Sequence, residues 1–137
     1  MGLQIELFTA STNREIDVAF ESMSQKRADA LLIGTNTFFT TRRVQFATLA
    51  VRHTLPAIYF GREFVEAGGL MSYGASNDFL YRLSGIYVGR ILKGEKPADL
   101  PVMQPTKFEL VINLQAAKLL GVEVSPMLRA LADDVVE

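Results

Sequence analysis

LMSYGASNDFLYRLSGIYVGRILKGEKPADLP, residues 70–101, is the stretch whose reading decides the fold. It reads as a short strand over Leu70–Tyr73, a turn at Gly74–Asn77, an amphipathic helix over Asp78–Lys93, and an exit punctuated by Gly94, Pro97 and Pro101. Along the helix Phe79, Leu83 and Ile86 form one apolar row with Leu80, Tyr87 and Ile91 beside it. Ser84, Gly85 and Gly89 leave a groove of small residues, so Gly85-x-x-x-Gly89 reads as close packing and not as a phosphate cradle. A face of this kind requires a partner.

Upstream, strands and helices alternate. Leu3, Ile5 and Leu7 alternate with Gln4, Glu6 and Phe8, which predicts a strand near a sheet edge. Thr12-x-x-Glu15 is a capping box that opens a helix over residues 13–26, with Ile16, Ala19, Phe20 and Met23 on one face. Ala28–Gly34 is a continuous apolar run and predicts a central strand covered on both faces, parallel to the first. Thr35–Thr41 reads as a polar and aromatic loop whose Thr40 or Thr41 caps a helix bearing Val44, Ala47 and Val51, widened by Phe46, Leu49 and Ala50. Leu55–Phe60 is the next strand, and a short helical piece ends at Gly68-Gly69. The alternation predicts a parallel sheet with right-handed crossovers and helices on both faces, a three-layer α/β/α fold.

Downstream, Pro97, Pro101 and Pro105 keep the chain out of helix until the strand Phe108–Asn113. Leu114–Leu120 is a brief helix stopped by Gly121. Ser125-Pro126 opens a last helix with Met127, Leu128 and Leu131 facing inward.

The 137 residues fit one α/β domain, read as residues 1–137. A net charge of -1 gives no electrostatic reason to bind nucleic acid or an anionic membrane. Without cysteine, thiol catalysis, disulfides and thiolate metal sites are excluded; one histidine, His53, excludes a His-rich metal site. Met1–Phe8 has no basic segment followed by an apolar core, so the chain, taken as complete, reads as cytoplasmic.

Ligands of open parallel sheets bind beyond the carboxyl ends of the strands. Three loops qualify: Thr35–Thr41, Gly61–Glu63 and Gly74–Asp78. The candidate binding residues are Thr35, Asn36, Thr37, Phe38, Arg42, Arg62 and Glu63, a set suited to a small polar molecule with a flat or apolar part. Arg42 and Arg43 fall in the first turn of a predicted helix, where cations oppose its dipole, and either an anion or solvent screening relieves them. Phe38 and Phe39 read equally as ligand contacts and as loop anchors. His53, late in its helix, suits capping or packing better than catalysis. No nucleophile elbow, phosphate loop or dinucleotide fingerprint is present, and nothing in the spacing recommends Glu63 with Asp78 as a catalytic pair. No catalytic residue, cofactor or metal is assigned.

From Arg27 onward the chain resembles the carboxyl-terminal part of ABC-transporter substrate-binding proteins of the tryptophan-binding, lipoprotein-like type, which have the two-lobed type I periplasmic-binding fold. Four stretches carry the resemblance: Ala28–Ile33, Gly68–Gly74, Gly89-Arg90-Ile91-Leu92-Lys93-Gly94-Glu95-Lys96-Pro97, and Pro105-Thr106-Lys107-Phe108-Glu109-Leu110-Val111-Ile112-Asn113-Leu114. The last two, at their mutual spacing, are the more specific. The resemblance extends more loosely back to Leu3.

It implies a solute-binding lobe without catalysis, working with an ABC permease, periplasmic or membrane-associated without inserting into the membrane itself. Related receptors look like amino-acid binders carrying Thr-Asp where this chain has Thr35-Asn36, and a second acidic position where it has Gly61-Arg62. Both departures remove negative charge and shift the expectation toward a carboxylate or another neutral-to-anionic solute. The resemblance also implies that a first lobe, and the first strand of the second, precede what is present here. The row Phe79, Leu83, Ile86 and Tyr87 is then expected to form a homodimer surface. Two other classes stay open: a flavodoxin-like α/β enzyme acting on a small substrate, and a ligand-free interaction module.

Overall fold

The structure, a computed structural model, describes residues 2–137. Thr12 caps the first helix, α1 (Asn13–Gln25), its hydroxyl accepting from the Glu15 N–H at 3.2 Å. The Glu15 carboxylate closes the reciprocal bond one residue further out than a capping box places it, accepting from the Ser11 N–H at 2.7 Å. That backbone bond, with the Ser11 hydroxyl second, holds the Glu15 carboxyl below its ordinary range. Ile16, Phe20 and Met23 are the buried stripe of α1.

The remaining elements are β1 (Leu31–Leu32), α2 (Thr37–Thr41), α3 (Arg43–Arg52), β2 (Ala57–Tyr59), α4 (Arg62–Glu66), β3 (Met71–Ala75), α5 (Asn77–Leu92), β4 (Phe108–Asn113), α6 (Leu114–Leu120), α7 (Pro126–Leu131) and β5 (Asp134–Val136). They form one α/β fold around a sheet of order β1-β2-β3-β4-β5. β1, β2 and β3 run parallel, as the alternation predicts. β4 is antiparallel to β3 and parallel to β5, so the sheet is mixed. The reversal follows from the route: the chain leaves β3 through α5 and re-enters the sheet beside the point of exit, with Ala75 opposite Phe108 and the Ser76 N–H donating to the Lys107 carbonyl at 3.0 Å.

The main core lies between the sheet and α1, α3 and α4. It is built from Phe20, Phe46, Leu49, Ala57, Tyr59 and Phe64, with the Tyr59 and Phe64 rings stacked at 4.8 Å. On α3 the buried stripe is Phe46, Ala47, Leu49 and Ala50, while Val44 is exposed, which rotates the buried face from the expected one. A smaller cluster joins Leu70 to Ala116, Ala117 and Leu120 of α6. Asn113 caps α6, its Oδ1 accepting from the Ala116 N–H at 2.9 Å, and Gly121 at φ 67 ends the helix as predicted.

Four expectations fail for physical reasons. Leu3, Ile5 and Leu7 are 84–89% exposed and belong to no ladder, so the predicted first strand is not formed. Consequently Ala28–Gly34 is not a central strand: β1 pairs only with β2, occupies the sheet edge, and leaves Leu32 75% exposed. The Thr35–Thr41 loop is mostly helical, because the Asn36 side chain accepts from the Phe38 N–H at 2.8 Å and starts α2. On α7, Met127 and Leu131 are exposed rather than inward, and only Leu128 is half-buried.

No residue of α5 is buried. Phe79, Leu83 and Tyr87 are half-covered and Ile86 is 52% exposed. The returning segment lies along part of the helix, where the Tyr87 hydroxyl donates to the Pro101 carbonyl. A Cβ added at Gly85 or Gly89 would meet nothing within 4 Å, so the groove of small residues is open among the described residues.

Candidate functional site

A cavity of about 280 Å³ opens where β2 and β3 end and α4 and α5 begin. Phe60, Gly61 and Arg62 form one wall. Gly74, Ala75 and Ser76 form the next, continued by Asn77 and Asp78 from the first turn of α5. Because β4 runs antiparallel, its beginning and not its end reaches this edge, and Glu109, paired with Gly74 in the ladder, completes the lining with Val111. The strands approach closely here: a Cβ on Gly74 would lie 1.9 Å from the Phe60 carbonyl oxygen. Ser72 and Ser76 are both buried and both line the cavity.

One cation, Arg62, is held between two carboxylates. Arg62 Nε donates to Glu66 Oε1 at 3.0 Å, and its Nη2 donates to Asp134 Oδ2 on β5. The Asp134 bond, followed by that to Glu66, raises the arginine's affinity for its proton above the ordinary level. The same contact, with the Val135 N–H second, holds the Asp134 carboxyl below its usual range. Arg62 therefore ties α4 to β5 and offers no spare positive charge. Glu109 has a loose partner in Lys107 at 3.6 Å. Asp78 has no ion-pair partner among the described residues. The lining is thus acidic around Asp78 and Glu109, while the first N–H groups of α5 supply donors.

Of the seven residues expected to bind, only Arg62 lines this cavity. Glu63 folds its carboxylate over Gly61, where an added Cβ would come within 2.5 Å of it. Thr35 and Asn36 line a second, more apolar cavity of about 350 Å³ on the far side of β1. Thr37 is exposed at the start of α2 and lines neither cavity. Phe38 is an anchor: it contacts the Phe39 ring at 6.0 Å and lies under the Arg42 guanidinium at 5.3 Å. Arg42 also donates to Asn13 Oδ1, joining α3 to α1.

The paired arginines stand where expected, at the N-cap and first position of α3. Arg42 stands between two helices, and the side chains of Arg42 and Arg43 donate to the Thr41 and Thr40 carbonyls at 3.5 and 3.3 Å, at the closing end of α2 where cations are favoured. His53 is the C-cap of α3, with its ring 5.9 Å from Phe20, a packing role. The residues that reading along the chain missed are Glu66, Ser72 and Glu109. Glu109 was discoverable only by knowing that β4 is antiparallel. Among the described residues no cluster of acids and histidine suits a metal ion.

Comparison with known proteins is consistent over almost the whole length. A family model described as ABC transporter substrate binding protein matches residues 1–136. The ABC domain in complex with L-Trp from Streptococcus pneumonia superposes with a TM-score of 0.89 at 27% identity, covering 98% of this chain and 45% of that one. A conserved domain protein from Vibrio cholerae O1 biovar El Tor superposes at 0.83 with 23% identity, covering 92% and 42%. The ligand-free, open structure of CD0873, a substrate-binding protein with adhesive properties from Clostridium difficile, gives 0.64 at 23% identity, covering 93% and 42%. The last two likenesses speak to fold alone. No curated protein matches the chain. The chain spans less than half the length of these structures.

Proposed function

The chain belongs to the family of ABC transporter substrate-binding proteins, and on that premise we propose that it is a solute-binding lobe which receives a small polar molecule at the acidic cavity and delivers it to an ABC permease. The role is binding, not catalysis, and its place is periplasmic or membrane-associated. Among the described residues no helix is long and apolar enough to cross a membrane.

The observation that carries the ligand class is the pairing of Arg62 with both Glu66 and Asp134 beside the less constrained acids Asp78 and Glu109. Asn36 and Arg62, read along the chain, argue for an anionic solute. With Arg62 neutralised and Asn36 committed to capping α2, the lining favours a ligand that brings an ammonium group. The helix N–H groups of α5 suit the carboxylate of the same molecule, so an amino acid fits better than a bare organic acid. The complex with L-Trp, in a protein 27% identical, supports this class.

A thermal-shift and calorimetric panel of amino acids, matched carboxylic acids lacking the amine, and matched amines tests it. Amino acids stabilise most, and Asp78→Asn weakens them about tenfold. Stabilisation by the carboxylic acids alone overturns the reading. In the same proposal the row Phe79, Leu83, Ile86 and Tyr87 meets a second copy of the chain as a homodimer, and light scattering showing a monomer at micromolar concentration refutes that part.

A further inference from the structure

The acidic cavity has two acidic ends, and they are set apart. Its charged lining residues are one cation, Arg62, against three carboxylates, Glu66, Asp78 and Glu109. The cation is already bonded to Glu66 and, outside the lining, to Asp134. Asp78 belongs to the first turn of α5, whose N-cap is Ser76. Glu109 pairs in the ladder with Gly74, two residues before that cap. At about 3.3 Å per extended residue, the backbone places the two ends about 7 Å apart.

Two buried hydroxyls mark the same ends. Ser76 and Ser72 are only 3% and 1% exposed, both line the cavity, and neither hydroxyl has a hydrogen-bond partner among the described residues. A serine at an N-cap ordinarily turns its hydroxyl to the helix. Ser125 does so, accepting from the Leu128 N–H at 3.2 Å, and Ser76 does not. The first backbone bond of α5 comes from the Leu80 N–H, which leaves the N–H groups of Asn77, Asp78 and Phe79 without a protein acceptor among the described residues. Ser72 shares its sheet face with Glu109, because Val111 and Glu109 stand opposite Ser72 and Gly74. A buried hydroxyl without a partner is costly, so each calls for a group that enters from the cavity.

We propose that the solute is an amino acid with a second cation, a guanidinium or an ammonium, at the end of its side chain. The inference rests on the amino-acid reading of this cavity and narrows it. The carboxylate accepts from the Ser76 hydroxyl and from the N–H groups of Asn77 and Asp78, where a helix N-terminus favours an anion. Asp78, in the same turn, takes the α-ammonium, which one carbon joins to that carboxylate. Glu109 lies too far along the strand for the α-ammonium and takes the side-chain cation, with the Ser72 hydroxyl as a further acceptor. Lys107, exposed and 3.6 Å away, gives Glu109 only a loose pair, which a better-placed cation displaces. A solute with a single cation leaves one of the two acids without a partner inside the cavity.

Calorimetry of the 137-residue protein with arginine, citrulline and agmatine separates the two ends. Citrulline is arginine without the side-chain charge, and agmatine is arginine without the carboxylate. Arginine binds at least about tenfold tighter than either, and lysine against norleucine repeats the comparison for an ammonium. Glu109→Gln brings arginine down to the affinity of citrulline. Ser76→Ala weakens arginine and leaves agmatine unchanged. Because Ser76 makes no cap bond, Ser76→Ala holds Tm within about 2 °C, whereas Ser125→Ala lowers it by about 3–5 °C with affinity intact. If Glu109→Gln fails to fold, the ligand pairs on the unaltered protein decide. Equal binding within both pairs overturns this proposal and leaves the amino-acid reading standing; no binding of any amino acid at millimolar concentration overturns both.

Discussion

Replacing Gly74 with alanine probes the point where fold and cavity meet. The added Cβ would lie 1.9 Å from the Phe60 carbonyl oxygen and 2.9 Å from its carbon. Both are backbone atoms, and neither can swing aside as a side chain would. To reach even 3.0 Å from the oxygen, the ends of β2 and β3 must separate by about 1.1 Å, a shift that places the substitution with overpacked cores at about 1–3 kcal/mol. For a chain of this size that lowers Tm by about 3–10 °C. Urea unfolding should show a lower midpoint with an unchanged slope, since native surface burial is hardly altered. Phe60, Gly61 and Gly74 all line the acidic cavity, so solute affinity should fall with stability. Gly85→Ala and Gly89→Ala are the controls: with nothing within 4 Å, each should gain about 0.5–1 kcal/mol of helix stability. A Gly74→Ala midpoint indistinguishable from the parent would refute the steric argument.

Three further outcomes are expected. Asn113→Ala removes both the cap of α6 and the donor reaching the Val65 carbonyl at 3.4 Å, and should cost about 1–2 kcal/mol in denaturant unfolding. Tyr59→Phe deletes a buried hydroxyl that has no partner among the described residues and whose ionisation burial pushes well above the ordinary range. Tm should hold or rise by the equivalent of up to about 1 kcal/mol, and a fall would reveal a hydrogen bond to that hydroxyl. Asp134 is held below its ordinary 3.8 by Arg62, and Glu95 below 4.5 by Arg90. Depressed values in the folded state mean that both contributions are present above those ordinary values and vanish as pH falls through the lowered ones. Asp134→Asn and Glu95→Gln should therefore lower stability at pH 7 and leave it unchanged near pH 2, as unfolding at the two pH values will read out.

Local chemistry made some of the fold legible and left the rest hidden. Thr12, Gly121 and Ser125 act within a few residues of themselves, and the helix ends they predict are found. Strand placement depends on distant partners. Ala28–Gly34 has the composition of a central strand, yet it lies at an edge because no second neighbour pairs with it. β5 escaped notice because Asp134–Val136 is too short to show a period. The acidic cavity was legible as a place, the strand ends, but most of its lining residues were not. Asn36 caps α2 and Phe38 packs against the core, roles that show only once the helix is formed. Arg62 looks like a free cation until Asp134, 72 residues away, is brought beside it.

The return of the chain beside its own exit has a consequence for folding entropy. β3 and β4 form a hairpin in which residues 76–107, α5 included, stand where a tight turn would otherwise be. Treated as a flexible loop, about thirty residues instead of two raises the closure cost by only about 2 kcal/mol, because that cost grows with the logarithm of length. The ladder from Met71–Ile112 to Ala75–Phe108 is therefore closed by its own pairing and not by the helix. α5 is an insertion carried on a completed hairpin, and a chain joining Ala75 to Phe108 through an Asn-Gly turn retains the sheet while losing the outer wall of the acidic cavity.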